Sequence, residues 1–357
     1  MIAGGGLDDF TLRRIFTQDV RPTVFLDAAP SAVPRAVLVG AQPGAGKTQV
    51  VAAAAAELVQ GVEIVGDDLR RFHPAFLELM ATDALSMPVR TAQASGRWVE
   101  MCLQEAARER VSCVVESTFR SAQVGLATAG LLREAGFAVE VRAVAVPPAV
   151  SRLGTVQPYA AQLTDKGAGR WTPSSAHEQA VAGMPGTVAQ LVSAGVVDQL
   201  QVVARDTRVL LALDVPAGEQ DRARVVDDVA RALAAGQSVA ALAPVAAAGW
   251  VAGYARCARV LAEHAERDLD VLATMSRLAR DAPAVVEQLP VADRGEARAQ
   301  IAAAGVELGA MHTQAMRTAS FPAPPGARVP GAQGAQQPAP GAPRLRDHDE
   351  QRGGPER

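Results

Sequence analysis

Apolar and polar positions change rhythm several times along the chain. From residue 35 to about 214, short apolar runs of strand type alternate with segments of helical period. The runs are "AVLVG" (36–40), "VEIVG" (62–66), "SCVVE" (112–116), "AVEVRAVAV" (138–146), "QLQVVAR" (199–205) and "RVLLALD" (208–214). Helical periodicity fills most of the gaps, as in 48–60, 91–110 and 121–135. Strand, helix, strand in succession predicts an α/β fold: a doubly wound, mostly parallel sheet with helices on both faces. The last two runs are separated by "DT" and are expected to form a hairpin at one sheet edge.

Outside that region the pattern differs. Residues 1–34 form a lead-in, with "DDFTLRRIF" able to make a short helix and "AAPSAVP" a loop. "GEQDRARVVDDVARALAAG" reads as an amphipathic helix closed by Gly236. Residues 239–320 keep helical periodicity and are assigned to a helical extension, leaving 35–238 as the sheet domain. From Phe321 onward the chain holds eight prolines and six glycines with almost nothing apolar to bury, so 321–357 is expected to be a disordered tail.

Composition narrows the partners. The formal net charge of −3 gives no global reason to expect nucleic acid or a membrane surface. Cys102, Cys113 and Cys257 lack metal-ligand spacing and lie in apolar stretches, so they read as small buried hydrophobes in a reducing compartment. The first residues carry acids and no long apolar run, and the run Val50–Ala56 is far too short to span a bilayer. The expectation is a cytoplasmic protein.

"AQPGAGKT" (41–48) carries the clearest chemistry. It matches a P-loop with Ala41 at the usual first glycine. Gly44 and Gly46 allow the backbone around Ala45 to turn its N–H groups inward on phosphate oxygens. The helix that follows, through Lys47, Thr48 and Gln49, directs its positive end at the same point. Lys47 would reach the β- and γ-phosphates, and Thr48 would place its hydroxyl on Mg²⁺. A strand before and a helix after make this a nucleoside-triphosphate site, for ATP or GTP. A kinase needs a carboxylate beside the γ-phosphate, and ligands in such sheets bind beyond the carboxyl ends of strands. Asp67 and Asp68 follow one strand and Glu116 ends another. Glu116 therefore has two functional readings, the proton-accepting carboxylate or a Mg²⁺ carboxylate.

"GDDLRRFHPAF" (66–76), "VVESTFR" (114–120) and "GRWTPSSAH" (169–177), in this order after the P-loop, resemble the signatures of the zeta toxin family. The resemblance covers residues 35 to about 205. It implies a kinase of a toxin–antitoxin system that phosphorylates a UDP-activated amino sugar such as UDP-N-acetylglucosamine, and a small helical antitoxin as partner. It also implies roles. Asp67, six residues before His73-Pro74, matches the family's catalytic base, and His73 and Pro74 shape the loop. Glu116, Thr118 and Arg120 match a substrate-pocket motif, with Glu100 and Thr128 at two further pocket positions. Arg170 matches an arginine that neutralises the transferring phosphoryl group. The chain departs from the family at Pro158, where a further phosphate-directed arginine is usual; Arg152, six residues earlier, is the nearest replacement, but a helix would turn it to a different face. Two other readings share the P-loop: a kinase with another acceptor, such as an antibiotic or nucleoside, and a nucleotide-dependent switch.

Overall fold

The computed structural model describes residues 6–320. The tail expected for 321–357 lies outside the described residues. Six strands form one sheet: β1 (Arg35–Gly40), β2 (Val62–Ile64), β3 (Cys113–Ser117), β4 (Ala138–Val144), β5 (Gln199–Val203) and β6 (Val209–Asp214). Their order is β2-β3-β1-β4-β5-β6. All neighbours are parallel except β5 and β6, which pair antiparallel. Each expected strand is present, and the expected edge hairpin with it. Its connection is longer than two residues: the strands part at Val203, and a turn closes with the Ala204 N–H donating to the Arg208 carbonyl and Thr207 at φ 66°.

The central strand β1 is buried on both faces, which is why it reads as a continuous apolar run, while β6 at the edge is largely open. Along β1 the side chains alternate. Ala36 and Leu38 join one core, while Val37 and Val39 join another. The first core is covered by α1 (Asp9–Ile15), α4 (Ala92–Glu109), α5 (Ala122–Glu134), α7 (Ser174–Ser193) and α8 (Glu219–Gln237), contributing among others Trp98, Leu132, Leu191 and Val229. The second is covered by α2 (Lys47–Ala56) through Val50, Val51 and Ala54. Between β2 and α4 lies the single-turn α3 (Gly66–Leu69). All three cysteines are buried, which pushes the Cys102 and Cys113 thiols up to about 12.

Gly236 does not close α8, which runs on to Gln237. A Cβ at Gly236 would stand 2.6 Å from the Ala145 Cβ. The glycine is there for close helix–strand approach rather than for a left-handed cap.

The third core has a different make-up. α6 (Pro148–Lys166) supplies Leu153, Val156, Tyr159 and Leu163. Against them pack α9 (Pro244–Glu263), α10 (Leu269–Val286) and α11 (Arg294–Ser320), through Trp250, Tyr254, Met275, Leu278 and Leu308. The helical extension therefore shares one helix with the sheet region. No helix among the described residues is long and apolar enough to cross a membrane.

Candidate functional site at the strand ends

The P-loop leaves β1 and enters α2 at the carboxyl edge of the sheet. Gly44 at φ +75° and Gly46 at φ +88° adopt the conformation that L side chains resist. Gly44 has a second reason to lack a side chain: a Cβ there would lie 2.1 Å from the Ser151 carbonyl. Gly154 presses on Gly44 from the other side of the same contact, so the loop is seated on the first turns of α6. The Gln42 amide steadies it from below, donating to the Val146 carbonyl at 2.9 Å and to Ser151 Oγ at 3.3 Å. Ser151 Oγ is in turn 2.9 Å from His177 Nε2. Burial holds the His177 imidazole below its ordinary range, so it stays neutral in this packed support.

Lys47 is buried and donates to the Ala41 carbonyl at 3.1 Å. Its ammonium also stands 3.5 Å from Glu116 Oε1. Glu116 reaches this point because β3 pairs with β1 in register Val39↔Glu116, so its side chain leaves the strand next to the P-loop. Burial raises the Glu116 carboxyl, Lys47 partly offsets that, and the charges of Asp67 and Asp68 raise it again. Thr48 and Gln49 follow on the exposed side of α2, and Ala45 is buried beneath the loop.

Asp67 sits on α3, directly beyond β2. Its side chain is 47% exposed and is gripped by two arginines. Arg70 Nε donates to Oδ1 at 2.8 Å, and the Arg170 guanidinium forms an ion pair with Oδ2. Burial alone would raise the Asp67 carboxyl; Arg170 and Arg70 outweigh it and hold it below the usual aspartate range. Arg70 is itself fixed, donating to the Pro88 carbonyl and to Thr91 Oγ1 at 2.8 Å. Ser95 Oγ on α4 donates to the Gly66 carbonyl at 2.5 Å, which pins the α3 turn. His73 Nδ1 accepts the Ala75 N–H at 3.2 Å, a turn-shaping bond consistent with the role read for it.

The segment after β3 is anchored by Phe119, which the sequence reading passed over. Phe119 takes φ 50°, and its ring lies where a Cβ on Gly40 would otherwise stand 1.9 Å away. Thr187 Oγ1 donates to the Phe119 carbonyl at 2.7 Å. Thr118 is thereby half-buried and Arg120 exposed, on either side of a fixed ring. Thr128 is half-buried on α5; Glu100 is exposed on α4 and ion-pairs with Arg97 of the same helix. Among the described residues neither has a hydrogen bond or ion pair to Lys47, Asp67 or Glu116.

Arg152 does not replace the arginine missing at Pro158. It is buried and ion-paired with Glu178 at 2.9 Å and with Asp281 of α10. Pro158 lies inside α6 without ending it, and leaves the Gly154 carbonyl without its helical donor at the turn that meets Gly44.

The loop carrying Arg170 is held from the extension. Asp270 Oδ2 accepts Trp171 Nε1 at 2.8 Å and the Ser174 N–H at 2.8 Å, and Oδ1 accepts the Ser174 hydroxyl. The Tyr159 hydroxyl donates to Glu266 beneath, and its ring meets Trp171 edge-on at 5.4 Å.

This arrangement brings an anion cradle, a lysine, two carboxylates and an arginine to one edge of the sheet. The family model described as Zeta toxin matches residues 24–214, more than half of the chain. Toxin zeta of Enterococcus hirae is 28% identical over 186 residues, 51% of this chain and 65% of the relative. Toxin PezT of Streptococcus pneumoniae is 29% identical over 175 residues, 48% of this chain and 69% of the relative. The match thus spans less than two thirds of the Enterococcus protein. A solved structure from the PezAT chromosomal toxin–antitoxin system of Streptococcus pneumoniae superposes with a TM-score of 0.59 at 22% identity, covering 71% of this chain and 98% of that one, which supports the fold.

Proposed function

Given that the chain belongs to the zeta toxin family, we propose that it is a kinase that moves the γ-phosphoryl group of ATP or GTP to a hydroxyl of a UDP-activated amino sugar resembling UDP-N-acetylglucosamine. One observation carries this reading: Asp67 and Arg170 form an ion pair beside the Lys47–Glu116 contact. A carboxylate, a lysine and an arginine standing together at the strand ends support the reading.

In the reaction proposed, the P-loop amides and Lys47 take the donor phosphates, Lys47 exchanging its loop carbonyls for phosphate oxygens. The acceptor hydroxyl displaces Arg170 from Asp67. Asp67 then accepts the hydroxyl proton as the new O–P bond forms, and the bond from the γ-phosphorus to the bridging oxygen breaks. Arg170 turns to the equatorial oxygens, where charge spreads in the transition state. Glu116 and Thr118, with Arg120, Glu100 and Thr128 further out, bind the sugar and its diphosphate. Mg²⁺ fits this donor set: the exposed Thr48 hydroxyl offers one hard oxygen, and Mg²⁺ takes most of its ligands from phosphates and water. Among the described residues no cluster of three His, Cys, Asp or Glu would hold the ion without nucleotide. Once bound, Mg²⁺ would neutralise phosphate charge.

Growth inhibition would follow from loss of the sugar nucleotide, and a small helical antitoxin would relieve it. The switch reading is favoured by one feature: Pro158 is uncharged and Arg152 is already committed to Glu178 and Asp281, so this site has one cation fewer than its family pattern. Measuring ADP or GDP release with and without a panel of UDP-sugars separates the readings. Turnover stimulated by an amino-sugar nucleotide is expected. Slow turnover indifferent to every acceptor would favour the switch, and stimulation by a different acceptor would reassign the substrate.

A further inference from the structure

Residues 167–173 join α6 to α7 and carry Arg170. Gly167 at φ 69° turns the chain out of α6. A Cβ on Gly169 would stand 2.7 Å from the Tyr159 ring, so the loop lies flat on that side chain. Gln162 Oε1 accepts the Arg170 N–H at 2.8 Å. α7 opens at Ser174, after Pro173, with no side-chain cap from its own segment. Asp270 supplies that cap from α10. Its carboxylate takes the Ser174 N–H, the Ser174 hydroxyl and the indole N–H of buried Trp171. A negative charge at a helix N-terminus is favourable in itself. Asp270 is held in turn. Asp268 Oδ1 caps α10, accepting the Asp270 N–H at 2.9 Å and the Val271 N–H at 3.1 Å. Glu266 Oε1 accepts the N–H groups of Arg267 and Asp268 at 2.7 Å, while its other oxygen accepts the Tyr159 hydroxyl. Burial raises the Asp270 carboxyl, but the bonds from Ser174 and Trp171 outweigh it, and the Arg277 charge adds to them. Arg277 takes no bond in exchange: its Nη1 is buried without a partner among the described residues.

We propose that Asp270 is a positioning residue for Arg170, so that the helical extension sets where the guanidinium stands relative to Asp67. This rests on the kinase reading for what Arg170 does there. Arg170 lies between two ties, its own N–H on Gln162 and its neighbour Trp171 on Asp270, and its guanidinium pairs with Asp67. Loss of the second tie leaves the charge in the protein but not in its place. A displacement of about 1 Å is enough to cost a transition state its contact. The carboxylate that does this lies outside the segment 24–214 that defines the family. It belongs to a helix whose other acid, Asp281, grips Arg152 at the far end of α6.

A double-mutant cycle on the full chain tests this, with Asp270→Asn and Arg170→Gln made singly and together. Asparagine keeps the size of the side chain but has one acceptor oxygen for three donors. Asp270→Asn is expected to slow transfer at least about tenfold. It should also move the acid limb of kcat/KM upward, because an Arg170 drawn away from Asp67 no longer lowers that carboxyl. In the Arg170→Gln background the same change should cost little more, since the residue it acts through is gone. An equal loss in both backgrounds, or a limb that does not move, would overturn the positioning role and leave Asp270 a cap and nothing else. Hydrogen exchange reads the tether without any turnover. Asp270→Asn and Trp171→Phe, which keeps an aromatic ring and loses the indole N–H, should each speed exchange across 167–175 several-fold, with β1 and β4 as protected as in wild type. Unchanged exchange there in both variants would refute the tether. A wild-type chain that phosphorylates no acceptor yet shows the exchange response would sink the kinase reading and leave the tether standing; normal transfer with an additive cycle would do the reverse.

Discussion

In the sheet region, charged side chains stand at strand ends and pair with one another across the P-loop edge. Asp67 is half exposed between Arg70 and Arg170, and Glu116 looks at Lys47. In the helical extension the telling acids point inward instead. Glu266, Asp270 and Asp281 each reach back to Tyr159, to Trp171 and Ser174, and to Arg152. The first set is the one proposed to meet the ligands. The second holds the α6 helix and the Arg170 loop on which that placement depends. A segment outside the family's own span can thus govern how its site is shaped.

The largest effects should come from the sheet region. Lys47→Ala is expected to abolish nucleotide binding and turnover. Asp67→Asn should keep nucleotide affinity and lose transfer by about 10³-fold, read as phosphorylated sugar nucleotide per unit time. Transfer at the normal rate by the Asp67 variant would remove the base from the scheme and with it one side of the comparison.

The next effect crosses to the extension. Asp270→Ala should lower kcat by up to about 10²-fold with nucleotide affinity unchanged, because a displaced Arg170 misses the transition state and not the ground state. Asp270→Glu should restore part of the rate. A general loss of fold would lower affinity and thermal midpoint together. Unchanged kcat in Asp270→Ala would show that the extension packs without steering.

The smallest effect is a change of pH profile. Burial raises Asp67 but the two arginines win, so its native pKa lies below the unfolded value. The stabilisation this gives is complete above the unfolded value and is lost as pH falls through the native one. The acid limb of kcat/KM should accordingly lie below the ordinary aspartate range. Arg170→Gln removes the stronger opposing charge, so the limb should move upward on top of the rate loss. A limb that stays in place would place Arg170 elsewhere when substrate is bound.

Much of the sheet was legible because burial on both faces leaves a one-dimensional signature. "AVLV" is apolar whichever way each side chain points, and "CVV" and the valines and alanines of "AVEVRAV" keep the same signal around Glu140 and Arg142; all fall in strands. The P-loop was legible because its glycines serve local geometry. The supports of the site were not. Asp270 meets Ser174 across 96 positions of chain, and Gln42 meets Ser151 across 109. Those residues are of common types, and nothing within a helical turn marks what they grip. Phe119 looked like any buried aromatic, since its left-handed backbone and its seat on Gly40 depend on strand register. Arg152, six residues before Pro158, is likewise held by two carboxylates from other helices that its own neighbourhood in sequence does not reveal.

The position of β1 between β3 and β4 has a bearing on how the protein is made. A ribosome releases the P-loop early, but the strands that flank it follow only at Cys113 and Ala138, and the Gly154 surface that seats Gly44 comes later still. Arg170 then waits for Asp270, a hundred residues further on. A nascent chain therefore cannot hold the Arg170 loop in place until residue 270 has emerged, long after the phosphate loop itself has formed.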